Sequence, residues 1–532
     1  MLGRKVRHTA PSLRLHLGLA IALCSFSAQG EEEPEAPKAA EGGALERVKA
    51  SKTLHWSGDA QGGAPYVFQD PMDPNRLVGF EVELAELVAA KLGAKAVPLQ
   101  GPWDKLLELV ARGDCDVAMN GLELADEKRR VVHLSQPYYV AQERLTVRRG
   151  DPKAPRTMED LKGRVVGTLP GSMAQRILER AGAEVRTYDG GQDEIYADLK
   201  LGRTDAVLLD GPVTLYYADI DRETFEVLEA SFGRVEYAAA FSLADKPLAD
   251  AFDAALAALA KEGALRTLYE KWGLWNPETA KLLGDAKLTT SAPAPEWERW
   301  RAAVGKLPPF WERVKDRYPK AMPLLLKGAG LTLLVSVASM LLAVLLGLLL
   351  AAARGYGPAP VRWVAAAYVE FFRGTPLLIQ LTMIYFGLPE LGLKLDPFSA
   401  GVLALGLNYA ATEAENYRAG LESVPLGQRE AAAVLGLSPL MALRHVVGPQ
   451  AVRVALPPMT NDFIALLKDS SLVSLVTLTE LTKTYGSLAN AMRDHLGLGV
   501  VVAAIYLLMG LPFARLARYA EAHFGRHLRK AS

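Results

Sequence analysis

The sequence predicts a multidomain chain, with a two-lobed α/β part followed by an all-α part that crosses a membrane about five times. Three observations point there. The 532 residues amount to about three domains of ordinary size. Apolar-periodic helices alternate with short strand-like runs through the first half, and nearly all long uncharged runs lie after residue 320. Composition excludes other classes: 60 Lys and Arg balance 60 Asp and Glu, so no net field favours nucleic acid, and a 50% hydrophobic content rules out a disordered scaffold. Two cysteines, Cys24 and Cys115, make neither a disulfide framework nor a thiolate zinc site.

Residues 1–30 have the pattern of a cleavable signal peptide. Arg4, Lys5 and Arg7 precede an apolar stretch, 15–24, that is too short to span a bilayer, and Ala28-Gln29-Gly30 offers small residues for cleavage. Leu23 stands where lipidation of Cys24 would call for a small residue. Residues 31–44, rich in Ala, Pro and Glu, read as a solvated tether.

Residues 45–276 read as a soluble two-lobed binder. The spacing predicts a helix over 82–92 ended by Gly93, a strand over 94–99, a helix over 103–112 stopped by Gly113, and a buried strand over 116–119. A similar unit follows, with a strand at 165–168, a helix at 173–181 and a strand at 206–209 ending in Asp210. Two such lobes imply a ligand cleft between them.

Gly79-Phe80-Glu81-Val82-Glu83-Leu84, Pro102-Trp103-Asp104, Gly113-Asp114-Cys115-Asp116-Val117, Gln136-Pro137-Tyr138-Tyr139, the run Leu161 to Gly167 and Leu268-Tyr269-Glu270-Lys271-Trp272-Gly273 occur in order over about 230 positions. Together they resemble the amino-acid-binding family of bacterial extracellular solute receptors, with its periplasmic-binding-protein type II fold. The resemblance implies roles for particular residues. Trp103 takes the place of an aromatic platform over the ligand, the alternative being a core Trp. Asp210 falls where a carboxylate meets the ligand's α-ammonium, the alternative being a helix-capping Asp. Ser172, after Gly171 at an expected helix N-terminus, offers a hydroxyl and backbone N–H to a carboxylate.

Three positions depart from the family pattern. Next to Asn120-Gly121, Glu123 stands where a Ser or Thr helps hold the α-carboxylate, and Lys128 where an Arg grips it. Lys is a point charge, not a bidentate fork. Gly63 lies near a second aromatic position, with Tyr66 close enough to substitute. Glu123 is expected to pair with Lys128, to receive a cationic group of the ligand, or to face solvent. Gly121, Tyr66, Trp103, Glu123, Lys128, Ser172 and Asp210 form the expected solute site.

Residues 277–320 read as a linker. Asn276-Pro277 is expected to close the soluble domain, and Trp297, Trp300 and Trp311 with Arg299, Arg301, Arg313 and Lys315 suggest short helices at a membrane interface or buried indoles.

Within 321–525, residues 328–353 carry no charge, and about 1.5 Å of rise per residue takes them past a ~30 Å hydrocarbon core. Further apolar runs cover 375–393, 397–412, 454–467 and 496–514. Glu413 and Glu415 are expected to end the third, and Asp462 interrupts the fourth. Glu413 is a candidate for a substrate path, and Glu415 is expected to pair with Arg418. An N-terminus outside and five crossings put the C-terminus inside. The basic groups Arg354 and Arg362, then Arg418, Arg429, Arg444 and Arg453, then Arg515, Arg518, Arg526, Arg529 and Lys530 follow the positive-inside bias.

In the loop 423–449, Gly436 permits a turn after the helix that holds Glu430, Ser438 can cap a second helix, and Pro439 suits its first position. That helix is expected to end at Gly448-Pro449. Glu430-Ala431-Ala432, Gly436, Val446 and Pro449 resemble the cytoplasmic EAA loop of ATP-binding-cassette importer permeases, with Gly448 where a larger apolar residue is common. Phe371-Phe372-Arg373-Gly374-Thr375-Pro376-Leu377-Leu378 and Leu466-Leu467-Lys468-Asp469-Ser470-Ser471-Leu472 resemble its polar-amino-acid branch. The resemblance implies that Glu430, Ala431 and Gly436 couple the chain to an ATPase subunit.

The chain contains no phosphate-binding Gly-x4-Gly-Lys-Ser/Thr loop. ATP and Mg are therefore expected on cytoplasmic ATPase subunits, with no catalytic residue, metal or cofactor in this chain. The combined reading is a solute receptor fused to a permease of an inner-membrane importer for polar amino acids or related amines, with a homodimeric core. Its rivals are a ligand-gated channel or sensor and an exported dehydratase-like enzyme.

Overall fold

A computed structural model describes residues 43–61, 63–188, 192–285 and 308–524. The expected signal peptide, almost all of the tether, Trp297, Trp300, Arg299, Arg301, Arg526, Arg529 and Lys530 lie outside the described residues. The chain divides into two compact units. One runs to Leu324 and also holds Tyr485–Gly499; the other holds Leu325–Thr484 and the residues from Val500 on.

In the N-terminal unit the strands follow as β1 (Thr53–Gly58), a small hairpin β2 (Phe68–Gln69) and β3 (Leu77–Val78), β4 (Lys95–Gln100), β5 (Val117–Ala118), β6 (Val132–Leu134), β7 (Tyr139–Arg148), β8 (Val165–Thr168), β9 (Glu184–Thr187), β10 (Ala206–Asp210), β11 (Phe225–Tyr237) and β12 (Ala240–Ser242). They build two five-stranded sheets, ordered β4-β1-β5-β12-β6 and β11-β7-β10-β8-β9. The parallel pairs β1–β4, β1–β5, β8–β9 and β10–β8 are the expected βαβ units. The antiparallel strands β7 and β11 have no counterpart in the sequence reading. Through them the chain enters the second lobe after β6 and returns to the first at β12.

Local chemistry explains the helices. In Phe80–Lys91 the buried Leu84, Ala85, Val88 and Ala89 form one face, and Gly93 follows with φ +71°. The expected helix over 103–112 is instead a 3₁₀ turn, Trp103–Lys105, leading into Leu106–Arg112, with Gly113 as a left-handed cap. Asn276-Pro277 opens one more helix instead of a linker. The Asn276 side chain caps Thr279 N–H at 2.9 Å, Pro277 begins Pro277–Leu282, and Thr279 and Ala280 are buried.

The described part of the expected interfacial segment, from Phe310 on, is continuous with the first long helix. Phe310–Glu312 passes through a wide π-turn, Arg313–Arg317, into the 39-residue helix Tyr318–Tyr356. Trp311 on its first turn is 78% exposed, which excludes a buried role for this indole.

The long helix buries small polar residues beside Leu325, Leu333, Val335 and Leu350, and exposes a run of leucines. Thr332, Ser336, Ser339 and Ala343 face inward, while Leu341, Leu345, Leu348 and Leu349 lie on the outside. Inner small residues with an outer apolar face are what a lipid solvent selects. By length and composition, Phe310–Tyr356 and His495–Tyr519 are the two helices that suffice to cross a bilayer among the described residues.

Other expected spans differ. Residues 375–393 form Leu377–Thr382, a π-turn Met383–Gly387 and a 3₁₀ turn Leu388–Leu391. Glu413 and Glu415 do not end the third apolar run, because Pro397–Glu422 is one helix of 26 residues. Glu415 can remain helical because Arg418 Nη2 donates to its Oε2 at 2.7 Å and Arg354 pairs with Oε1. The Glu413 carboxyl is fully buried, and among the described residues neither oxygen makes a well-formed hydrogen bond. The helix Gly448–Asp469 accommodates Pro457 and Pro458 internally, and Asn416 donates to Asp462 at 2.6 Å across to Pro397–Glu422.

Candidate functional site

The N-terminal unit brings five of the seven expected site residues to the join between its lobes. Asp210 ends β10 and begins the helix Gly211–Tyr217. Its Oδ1 accepts Val213 N–H at 3.2 Å, and its Oδ2 accepts the Tyr66 hydroxyl at 2.6 Å and the Tyr237 hydroxyl. Helix capping and presentation to the cleft are thus the work of two different oxygens. Tyr66 packs against Phe80, ring centroids 5.2 Å apart, and lies over Gly121. A Cβ on Gly121 would stand 2.8 Å from the Tyr66 ring, and its φ of +62° favours glycine independently. Gly63 likewise has no room for an aromatic side chain, since its Cβ would lie 2.6 Å from the Val67 carbonyl.

Glu123 corrects two of the three expectations for it. It does not face solvent, being 6% exposed, and its carboxylate does not pair with Lys128. Oε1 accepts Met173 N–H at 2.7 Å, at the start of the helix Met173–Ala181, and Oε2 accepts Arg176 Nη2 at 3.0 Å. Lys128 Nζ donates instead to the Glu123 backbone carbonyl at 3.1 Å, and burial holds the Lys128 pKa below the ordinary lysine range.

The other two expected residues make local bonds. The Ser172 hydroxyl donates to Leu169 O and accepts Gln175 N–H, so it caps the helix. Trp103, half-buried, donates Nε1–H to the Asn120 carbonyl at 2.9 Å.

Four participants escaped the sequence reading. Tyr237 returns from the second lobe to reach Asp210. Arg176 lies four residues after the helix cap, a spacing that in retrospect marks a basic group at a helix start. Glu143 pairs in register with Asp210 across β7 and β10, is 2% exposed, and its Oε2 has no hydrogen-bond partner among the described residues. Glu81, on the helix Phe80–Lys91, accepts Gly121 N–H at 2.9 Å and the Tyr138 hydroxyl at 2.5 Å on one oxygen. Burial raises Asp210 and Glu143 above the ordinary carboxylate range, and pushes Glu81 up from 4.5 to about 7.

Glu81 therefore binds its proton more tightly folded than unfolded. Its contribution to stability is complete below about 4.5 and is lost as pH rises through about 7. A shift of this size corresponds to on the order of 3 kcal/mol. Thermal unfolding of Glu81→Gln should accordingly show a flatter dependence on pH between 5 and 8 than the parent chain. An unaltered slope would assign the pH dependence elsewhere.

In the C-terminal unit, the loop 423–449 forms the helix Leu426–Val434, which carries Glu430 and Ala431 exposed and Ala432 buried. Gly436 follows at φ +73°, and Ser438 caps Met441 N–H at 3.4 Å with Pro439 at the first helical position. Leu426, Val434, Leu435, Leu440 and Met441 are exposed around this turn. The second helix does not end at Gly448-Pro449. Gly448 N–H bonds the Leu443 carbonyl in a π-turn, Leu443–Val447, and the helix continues as Gly448–Asp469. The wider turn admits Pro449, which has no N–H to give. It also explains the glycine, since a Cβ at 448 would lie 2.6 Å from the Leu443 carbonyl.

Residues 58–274 match the family model of bacterial extracellular solute-binding proteins, family 3, and residues 343–526 match that of the binding-protein-dependent transport system inner membrane component. The probable amino-acid ABC transporter permease protein YckA of Bacillus subtilis (strain 168) is 37% identical over 187 residues, 35% of this chain and 83% of the relative. The glutamine transport system permease protein GlnP of Escherichia coli (strain K12) is 36% identical over 203 residues, 38% of this chain and 93% of that one. A solved structure of an ancestral arginine-binding protein bound to arginine is 30% identical, with a TM-score of 0.38, covering 42% of this chain and 98% of that one. The chain fuses a solute-binding domain to a permease and belongs to the family of binding-protein-dependent inner-membrane transport components of amino-acid ABC transporters.

Proposed function

We propose that this chain captures a polar amino acid or related amine outside the cytoplasmic membrane and passes it through its own permease, driven by ATP hydrolysis on separate cytoplasmic subunits. The carrying observation is the presence, in one chain, of the cleft around Asp210 and the exposed turn at Gly436. Asp210, Tyr66 and Tyr237 offer a carboxylate and two hydroxyls to an ammonium, Trp103, Gly121 and Lys128 frame the first-lobe side, and Glu123 reaches from it to the second lobe beside Ser172. Closure of the lobes retains the solute, and ATP binding to the partner subunits drives alternating access.

The bias of basic residues such as Arg354, Arg429, Arg444 and Arg515 supports a receptor outside and Glu430, Ala431 and Gly436 inside, where apolar Leu435, Leu440 and Met441 meet an ATPase groove. The permease core pairs with a second copy, giving two tethered receptors at high effective concentration. ATP and Mg belong to the partner subunits, and the first thirty residues direct export.

Vesicles containing the chain with its ATPase should accumulate a labelled amine solute only when ATP is inside and solute outside. Uptake without ATP, or an ion current evoked by solute, would replace the importer with a gated channel.

A further inference from the structure

Glu123 is the residue that an amino-acid site leaves unexplained. The first N–H of a helix beside a guanidinium is a natural seat for a carboxylate. Here Met173 N–H and Arg176 already hold one, supplied by the chain itself, and Lys128 is bound to the same residue's carbonyl. The helix Met173–Ala181 has nine residues, so its amide end is a regular one.

The remaining groups in the cleft have the opposite need. Asp210 meets neutral hydroxyls and one backbone N–H, with no cation among its hydrogen-bond partners. Glu143, opposite Asp210 in the β7–β10 register, is buried with an oxygen that finds no hydrogen-bond partner among the described residues. Two carboxylates are thus set at paired positions of neighbouring strands, each without an ion pair of its own among the described residues, the nearby Arg176 being held by Glu123, while the adjacent anion seat is filled. Desolvated carboxylates call for a bound cation.

We propose that the solute is an aliphatic cation that carries no carboxylate of its own, a diamine or decarboxylated basic amino acid whose ammonium or guanidinium group sits between Asp210 and Glu143. This rests on the reading of the cleft as the solute site. A zwitterionic amino acid would have to evict Glu123 from Met173 and Arg176, or place its own carboxylate beside three acidic side chains.

Matched pairs that differ only by the carboxylate provide the test: agmatine against arginine, and putrescine against ornithine, titrated by calorimetry into the full chain in lipid nanodiscs. The decarboxylated member of each pair should bind at least tenfold more tightly. Glu143→Gln should lower agmatine affinity at least tenfold, and Glu123→Ser, which vacates the anion seat, should raise arginine affinity at least tenfold. Arginine or ornithine binding as tightly as its partner would overturn the inference and leave the solute-receptor reading standing. Silence from all four compounds and from glutamine would remove both.

Discussion

Gly436→Val is expected to abolish solute-stimulated ATP hydrolysis and uptake while leaving solute affinity unchanged. Gly436 sits at φ +73°, a region that costs an ordinary L-residue about 1–2 kcal/mol and a β-branched one more. Among the described residues, its chain neighbours aside, no atom lies within 4 Å of a Cβ built there, so the damage comes from backbone preference and from the partner surface. A valine drives the turn out of the left-handed region and re-aims the Ser438 cap and everything after it. Asparagine, which tolerates that region, should retain more transport than alanine or valine, and Glu430→Ala should be less severe than Gly436→Val. Normal uptake by inserted Gly436→Val would show that this loop does not couple the two reactions.

Asp210→Asn should weaken amine binding by a factor of a hundred or more, on the scale of 2–5 kcal/mol for truncating one side of a buried charge pair. The variant keeps an oxygen for the Val213 N–H cap, so the fold persists and the loss reads directly as missing charge. Calorimetry returning the parent affinity would mean that the solute does not meet this carboxylate.

How much of this was legible follows from the range of the interactions. The helix Phe80–Lys91 and its stop at Gly93, and the sequence Gly436, Ser438, Pro439, are written in neighbouring residues, because caps and left-handed turns are satisfied within a few positions. The cleft is not. Tyr66 meets Asp210 across 144 residues and Tyr237 across 171, and Glu123 meets Arg176 across 53. A residue type alone leaves such partners open: Glu123 had three possible roles in the sequence, and only the antiparallel return through β11 brings the hinge to the helix at Met173. The same holds for Glu415, whose charge marks the end of an apolar run in the sequence and whose counter-ion Arg354 lies 61 residues away.

The π-turn at Leu443–Val447 makes the segment from Pro439 to Asp469 a single rod instead of two pieces joined by a hinge. At about 1.5 Å per residue this rod is on the order of 45 Å long. It bears closely on the helix Pro397–Glu422 where a Cβ on Gly420 would come 2.7 Å from the Ala451 carbonyl, is joined to it again by Asn416 on Asp462, and is tied at its far end by the Tyr409 hydroxyl on Asp469 at 2.7 Å. The contact at Ala451 lies about 18 Å from Pro439, and the arm beyond it is tethered and carries Pro457 and Pro458. A small stroke delivered at Pro439 becomes a tilt about that contact, and the tethered arm yields where its two prolines interrupt the hydrogen-bond ladder. A flexible joint at Gly448 would have absorbed the stroke as bending.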